Sequence, residues 1–166
     1  MMKKSNDAIV KTNAMRQLEA AGIAFRTATY AYEDHSHAGI FAAQQVGLMP
    51  AQVFKTLVTR GDKTGILVFC IPVDQELDLK KAAAVSGNKK LEMTQVKELL
   101  GLKGYIRGGC SPIGMKKKYP TFLDQTALQF DEIAVSAGKQ GEQILLSPDT
   151  LIQFVQATVA DITKPM

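Results

Sequence analysis

Residues 51–73, AQVFKTLVTRGDKTGILVFCIPV, hold two runs of apolar and β-branched residues separated by the polar, glycine-bounded segment at 60–65. Runs of this length and composition are typical of β-strands, and glycine with aspartate marks a turn between them. The stretch therefore predicts a β-hairpin whose loop is longer than two residues. Segments of helical and strand character follow one another on both sides of this hairpin.

These flanking segments predict a mixed α/β fold. Apolar residues recur at helical spacing in TNAMRQLEAAG, and Gly22 ends that run as a helix cap. Ser147 and Pro148 mark the start of the last helix. Helices are expected at 12–22, 38–47, 77–87, 94–101 and from 147 onward, and further strands at 23–32, 104–109, 121–125, 131–138 and 144–147. Roughly seven strands and five helices without strict alternation favour one domain, residues 1–166, with a mixed, mostly antiparallel sheet or a partly closed barrel flanked by helices.

The composition is that of a soluble globular protein. The 166 residues are 46% hydrophobic and 22% charged. No apolar run approaches the ~20 residues needed to cross a bilayer, and the start MMKKSNDAIVKTNAM lacks the apolar core of a signal peptide. We therefore expect a cytoplasmic protein without a membrane partner. Two cysteines are too few for a disulfide framework, and Cys70 is expected to pack as a small hydrophobe.

Basic residues are clustered, although the net charge is only +4. Each cluster alone is typical of a solvated face, but several in one chain favour a polyanionic partner. Since no zinc-finger spacing or RNP aromatic motif is present, we expect phosphate contacts and no reading of base edges. The clustered residues are Lys80, Lys81, Lys89, Lys90, Lys116, Lys117 and Lys118, to which Lys103, Arg107 and Lys139 are added.

The loop YIRGGCSPIGMKKKYPT, residues 105–121, contains a thiol and a hydroxyl among glycines. Its spacing and the proline after Ser111 exclude a Gly-x-Ser-x-Gly nucleophile elbow, and it lacks the Gly-Lys-Ser/Thr ending of a P-loop. Cys110 is expected to be a small loop residue unless it meets a histidine, which the sequence does not show. Because Gly108 and Gly109 allow a ligand close to the backbone, the loop amides can hold a carbonyl or an oxyanion.

Lys55 interrupts the apolar strand VFKTLV and shares a face with Val53 and Leu57 by strand alternation. Two interpretations remain open: a lysine that extends from the strand into solvent, or a cation held in a cleft and aimed at a substrate oxygen. His35 and His37 alternate in a polar segment, which is a weak signal for zinc. No metal site is expected.

The chain resembles the YbaK/ProX-type aminoacyl-tRNA editing family, and within it the freestanding Cys-tRNA(Pro) deacylase branch. The resemblance rests on four segments in the same order, namely VFKTLV, IPVDQELDLKKAA, GYIRGGCSPIGMKK and VSAGKQGEQI. It extends from about residue 14 to residue 155, nearly the whole chain. It implies a mixed α/β editing-domain fold, with a small pocket for the 3′-terminal aminoacyl-adenosine of tRNA and no cofactor.

The resemblance also implies roles for individual residues. Lys55 matches the family's pocket lysine, which is expected to hold a substrate phosphate or carbonyl and to orient the ester. The loop from Gly108 to Pro112 is expected to contact the aminoacyl group. The expected substrate-binding residues are Tyr30, Thr56, Gly108, Gly109, Cys110, Ser111, Pro112, Ser136 and Gln143, and the expected tRNA-binding residues are Lys116, Lys117, Lys118 and Lys139.

Three positions depart from the family pattern. Ala38 stands near an expected aromatic residue, Gln140 replaces an arginine and Gln143 replaces an acid, with Glu142 a candidate substitute one residue away. The expected reaction is removal of cysteine from mischarged Cys-tRNA(Pro), with Cys-tRNA(Cys) as a second candidate substrate, by attack of the substrate's own thiol on its ester. The alternatives are a non-catalytic binder of tRNA or synthetase, and a hydrolase of Ala-tRNA(Pro). Prolyl-tRNA synthetase is a candidate partner.

Overall fold

The computed structural model describes residues 11–31, 38–94, 111–114 and 118–165. The strand expected at 104–109 lies outside these residues, as does the helix expected at 94–101 apart from Thr94. The α-helices described are α1 Asn13–Ala20, α2 Ala38–Gln45, α3 Leu79–Ser86 and α4 Pro148–Val155. The strands described are β1 Arg26–Thr29, β2 Phe54–Gly61, β3 Gly65–Pro72, β4 Leu91–Met93, β5 Thr121–Asp124, β6 Ile133–Ser136, β7 Glu142–Leu146 and β8 Thr158–Ala160.

The hairpin expected from residues 51–73 is confirmed. Strands β2 and β3 pair antiparallel from Phe54 opposite Pro72 to Gly61 opposite Gly65, which leaves a loop of the three residues 62–64. The side chain of Asn88 holds this loop, because its Oδ1 accepts the backbone N–H groups of Lys63 and Thr64 at 2.9 and 3.1 Å.

The strands form two sheets. The five-stranded sheet has the order β4-β2-β3-β5-β8, antiparallel over β4-β2-β3 and parallel over β3-β5-β8. The three-stranded sheet, β1-β7-β6, is antiparallel throughout. A parallel bridge between Val53 and Ala134 joins the start of β2 to β6. Over the described residues the sheets do not close into a barrel, so the mixed sheet is the correct one of the two expected architectures.

Three apolar clusters fill the spaces around these sheets. The central cluster contains Cys70 of the five-stranded sheet and Ile144 of the three-stranded sheet, together with residues of α1 and α4. A second cluster lies between α3 and the opposite face of the five-stranded sheet. A third contains Ala43 of α2 and Leu145 of β7, so it covers the opposite face of the three-stranded sheet.

The expected helix ends are present. The Ser147 hydroxyl accepts the Thr150 N–H at 3.1 Å, with Pro148 in the first turn of α4. Gly22 follows the cap of α1 with φ +74°, and Gly87 caps α3 with φ +78°, a backbone region that glycine enters without steric cost.

Candidate functional site

Lys55 lies near the start of β2, where the two sheets meet. Phe54 and Thr56 face the central core, and the Thr56 hydroxyl lies 3.8 Å from the Cys70 sulfur. Because side chains alternate along a strand, Lys55 faces the opposite way, between Val53 of the third cluster and Leu57 of the second. The site lysine and Thr56 therefore lie on different faces of β2.

Burial determines the electrostatics of Lys55. The side chain is partly buried, and loss of hydration lowers the pKa of its ammonium, against the raising effect of the Glu76 and Asp74 carboxylates. Those carboxylates compensate the charge incompletely: both are exposed, and Glu76 also pairs with Lys164 at 3.5 Å. The neighbouring carboxylates therefore offset the burial of the Lys55 ammonium only in part.

Ser136 lies beside Lys55 through strand register, and Gln143 lies one strand further away. Lys55 is two residues beyond Val53 and Ser136 is two residues beyond Ala134, and the bridge joins Val53 to Ala134 in parallel. Gln143 pairs directly with Ser136. Since residues two apart share a face, all three side chains lie on the face that carries the third apolar cluster.

Gln143 is 5% exposed, and its side-chain oxygen Oε1 has no hydrogen-bond partner over the described residues. The neighbouring Ser136 hydroxyl accepts the Gly138 N–H at 3.1 Å and keeps its own proton for donation. The face thus presents a cation, a hydroxyl and a buried carboxamide oxygen within three adjacent strands.

Tyr30 follows β1 and continues its ladder, because its N–H donates to the Gly141 carbonyl at 2.9 Å. Tyr30 is two residues beyond Ala28, which pairs with Gln143, so the side chains of Tyr30 and Ala28 lie on the same face. Partial burial raises the pKa of the Tyr30 hydroxyl, with an opposing effect from the Gly141 backbone. The next residue, Ala31, is fixed to α2 by two hydrogen bonds with the Gln45 side chain at 3.2 and 3.0 Å. Tyr30 is therefore held at the edge of the same face.

Glu142, the candidate replacement for the missing acid, alternates with Gln143 and so faces the central core instead. It is 7% exposed, and burial raises the pKa of its carboxyl, while Lys139 acts in the opposite direction. This geometry does not place a carboxylate at the Gln143 position. Of the other departures, Gln140 lies in the turn between β6 and β7, and Ala38 begins α2.

The described end of the glycine loop is packed against α1. Ser111 is fully buried and its hydroxyl accepts the Ile113 N–H at 3.2 Å. The Asn13 side chain donates to the Gly114 carbonyl at 2.9 Å. The Ser111 hydroxyl therefore accepts a hydrogen bond from its own loop and is buried beside Pro112. Gly108, Gly109 and Cys110 lie outside the described residues.

The expected tRNA-binding lysines fall at separate places. Lys139 is exposed in the β6–β7 turn, three residues after Ser136. Lys118 is also exposed, and its ammonium donates to the Gln156 side chain at 2.5 Å. It lines a cavity of about 240 Å³ with Pro112, and Lys55 and Gln143 do not line that cavity. Lys116 and Lys117 lie outside the described residues, so their role stays a prediction.

Neither a metal centre nor a membrane span is found in the part of the chain that the structure describes. Within the described ranges, no group of three or more His, Cys, Asp or Glu side chains is placed to hold an ion. Among the described helices, none combines the length and the apolar composition that crossing a bilayer requires. His35 and His37 lie outside this part.

Sequence reasoning missed the carboxylates that act on Lys55. Asp74 and Glu76 follow the end of β3, and the hairpin pairs Lys55 with Ile71. The Val73 N–H also donates to the Val53 carbonyl at 2.8 Å, which holds the segment after β3 beside the start of β2. The hairpin register, extended by a few residues, is the signal that could have found them.

The fold is that of an aminoacyl-tRNA editing domain. The model of the aminoacyl-tRNA editing domain family matches residues 40–154, and the chain belongs to this family. A solved structure of a proposed trans-editing enzyme for prolyl-tRNA synthetase has a TM-score of 0.81 and 27% identity, and the alignment covers 95% of this chain and 100% of that one.

Two curated relatives are also similar. A protein of Enterococcus faecalis, named as a proposed Cys-tRNA(Pro)/Cys-tRNA(Cys) deacylase, EbsC, is 48% identical over 153 residues, which are 92% of this chain and 93% of that protein. The uncharacterized protein YwhH of Bacillus subtilis is 26% identical over 113 residues, which are 68% of this chain and 71% of that protein. The family resemblance expected from the sequence is confirmed.

Proposed function

We propose that this protein is a trans-editing deacylase that removes cysteine from mischarged Cys-tRNA(Pro), and also from Cys-tRNA(Cys). The observation that carries the proposal is the partly buried, incompletely compensated Lys55 on one face with Ser136 and Gln143, in a chain that belongs to an editing family. The 48% identity to a protein named for the same two substrates supports the choice of amino acid.

The need for such an enzyme follows from size discrimination. Cysteine and alanine are no larger than proline, and an apolar pocket rejects a smaller side chain by only about 1–3 kcal/mol. We therefore expect a synthetase for proline to charge its tRNA with cysteine in error. A second site that recognises the error restores accuracy.

The reaction requires no nucleophile from the protein. The substrate's thiol gives up its proton, its sulfur forms a bond to the ester carbonyl carbon, and the bond from that carbon to the ribose oxygen breaks. The ribose oxygen takes a proton, so the products are tRNA with a free 3′-terminal hydroxyl and a cyclic thiolactone of cysteine. A free thiol has a pKa of about 8.5, and its small thiolate fraction at neutral pH is strongly nucleophilic.

The protein then supplies orientation and charge stabilisation. Lys55 is directed at the carbonyl or an adjacent phosphate, where its cation stabilises the negative charge that develops on oxygen. Orientation of the thiol and stabilisation of the oxyanion by preorganised donors each lower the barrier by several kcal/mol. A single donor contributes about 3 kcal/mol. The Ser111 hydroxyl is fully buried, in keeping with a site without a serine nucleophile.

A substrate panel tests this function. Purified protein is mixed with radiolabelled Cys-tRNA(Pro), Cys-tRNA(Cys) and Ala-tRNA(Pro), and the label remaining on tRNA is followed with time. We expect rapid loss from the two cysteinyl substrates and slow loss from Ala-tRNA(Pro). Retention on all three with a shift of tRNA mobility would instead show a binder without turnover, and preferential loss from Ala-tRNA(Pro) would show an alanyl hydrolase.

The binder remains the second candidate because Gln143 stands where the family pattern has an acid and Glu142 faces away from the site. We further propose that the protein acts in the cytoplasm, together with prolyl-tRNA synthetase. The solved relative described as a trans-editing enzyme for that synthetase supports the partnership. Co-sedimentation of the protein with the synthetase, with and without tRNA(Pro), measures it directly.

A further inference from the structure

We propose that the side-chain oxygen of Gln143 is the acceptor that binds the α-amino group of the aminoacyl ester and so positions the cysteine for self-cleavage. This inference rests on the proposed deacylase function and assigns a specific part of the substrate to one residue. It makes Gln143 a positioning and specificity-determining residue, distinct in role from Lys55.

The first observation is the unpartnered oxygen itself. Gln143 is 5% exposed, and its Oε1 finds no donor within the described residues, the Lys55 ammonium included. Nearly all buried polar atoms in native proteins have a partner, because a buried acceptor without one loses the hydration it had in the unfolded chain. Oε1 is therefore suited to a donor that arrives with the substrate.

The second observation is the position of that oxygen relative to Lys55. Strand β6 lies between β2 and β7 at the level of the Val53–Ala134 bridge, so the backbones of β2 and β7 are about 10 Å apart there, two strand spacings. The Lys55 and Gln143 side chains project from the same face on either side of that interval. The interval is of the size of a small substrate group.

The aminoacyl ester has the required arrangement of groups. Its carbonyl oxygen and its α-amino nitrogen lie on adjacent carbon atoms, so a cation can hold the oxygen while an acceptor holds the nitrogen. The thiol is a weak donor and loses its proton in the reaction, whereas the amino group keeps N–H donors throughout. The amino group is therefore the donor that matches Oε1.

A carboxamide serves this role differently from a carboxylate. Oε1 accepts an N–H bond without bringing a negative charge to the face that carries Lys55. A carboxylate there would compensate the ammonium and weaken its pull on the developing oxyanion. Glutamine at position 143 thus binds the amino group without neutralising Lys55, whose charge stays available to stabilise the ester oxygen.

The test compares two substrates in three proteins. The substrates are Cys-tRNA(Pro) and the same tRNA carrying 3-mercaptopropionate, which keeps the thiol and the ester and lacks the amino group. The proteins are wild type, Gln143→Met, which removes the acceptor at similar length, and Gln143→Glu, which retains an acceptor. Each enzymatic rate is divided by the uncatalysed rate of the same ester, and circular dichroism confirms that the variants are folded.

Wild type is expected to accelerate Cys-tRNA(Pro) about tenfold more than the desamino ester, the effect of one buried hydrogen bond. In Gln143→Met the ratio of the two accelerations should fall to about one. Gln143→Glu should retain the wild-type ratio even if both rates fall. Equal loss on both substrates in Gln143→Met, or loss of the preference in Gln143→Glu, overturns the inference. If wild type cleaves neither ester, the proposed function itself is wrong.

Discussion

Replacing Lys55 by methionine removes a partly buried charge and keeps an unbranched side chain of similar length. In the wild-type protein the ammonium loses hydration on folding, and the exposed Glu76 and Asp74 return only part of that loss. Methionine has no charge to dehydrate and fits between Val53 and Leu57. We therefore expect Lys55→Met to be more stable than wild type at pH 7, although it loses the cation that the reaction needs.

The size of the gain follows from the partial exposure of the side chain. Water screens a half-buried charge, so the stabilisation should be about 1 kcal/mol, in the range of other favourable single substitutions. For a chain of 166 residues this corresponds to a rise in Tm of about 3 °C. The gain is a mark of a residue retained for activity at the expense of stability.

The difference should depend on pH in a defined direction. The pKa of Lys55 is lower in the folded protein than in the unfolded chain, where it is about 10.4. Below the folded pKa both states carry the proton, and the folded state bears the full cost of the buried charge. As the pH rises through the folded pKa, the folded state releases its proton first and that cost disappears.

Thermal denaturation followed by circular dichroism between pH 7 and pH 10 measures this effect. The Tm difference between Lys55→Met and wild type should be largest at pH 7 and shrink at alkaline pH. Lys63→Met is the control, because Lys63 is exposed in the loop of the same hairpin and its replacement should change Tm little at any pH. A lower Tm for Lys55→Met at pH 7, or a difference independent of pH, refutes the reasoning.

Three further predictions concern stability and binding. Ser147→Ala should lower the free energy of unfolding by about 1 kcal/mol in urea, because α4 loses its N-cap, and an unchanged midpoint contradicts this. Gly114→Ala should lower the free energy of unfolding by about 3 kcal/mol, since its new Cβ would lie 2.9 Å from the Ala14 nitrogen at φ +79°. Gly65→Ala is the control: with φ +77° and open space around its Cβ, it should cost only about 1 kcal/mol. Equal losses of stability in the two variants contradict this. Lys118→Ala should reduce the slope of log affinity for tRNA against log salt by about one, and an unchanged slope removes Lys118 from the phosphate contacts.

Local features of the fold were predictable because their physical causes are local. The hairpin at 51–73 follows from two β-branched runs around a glycine-bounded turn, and its pairing is fixed by the turn itself. The start of α4 at Ser147 and Pro148 follows from the chemistry of helix N-termini. Strand alternation also placed Lys55 on the face of Val53 and Leu57.

The sequence alone did not predict which residues the fold brings together at the site. The bridge between Val53 and Ala134 joins segments 81 positions apart, and no short-range pattern specifies such a contact. The unpartnered oxygen of Gln143 depends on the neighbours that the fold supplies. The resemblance grouped Thr56 with Lys55, whereas their adjacent positions on one strand make them face opposite ways.

The most direct measurement is the single-turnover rate of Cys-tRNA(Pro) deacylation by wild type, Lys55→Met and Cys110→Ala, with each protein in excess over tRNA. If the protein supplies a cation and the substrate supplies the thiol, Lys55→Met should lose at least about 100-fold in rate and Cys110→Ala should stay close to wild type. An active Lys55→Met variant, or an inactive but folded Cys110→Ala variant, would contradict this mechanism.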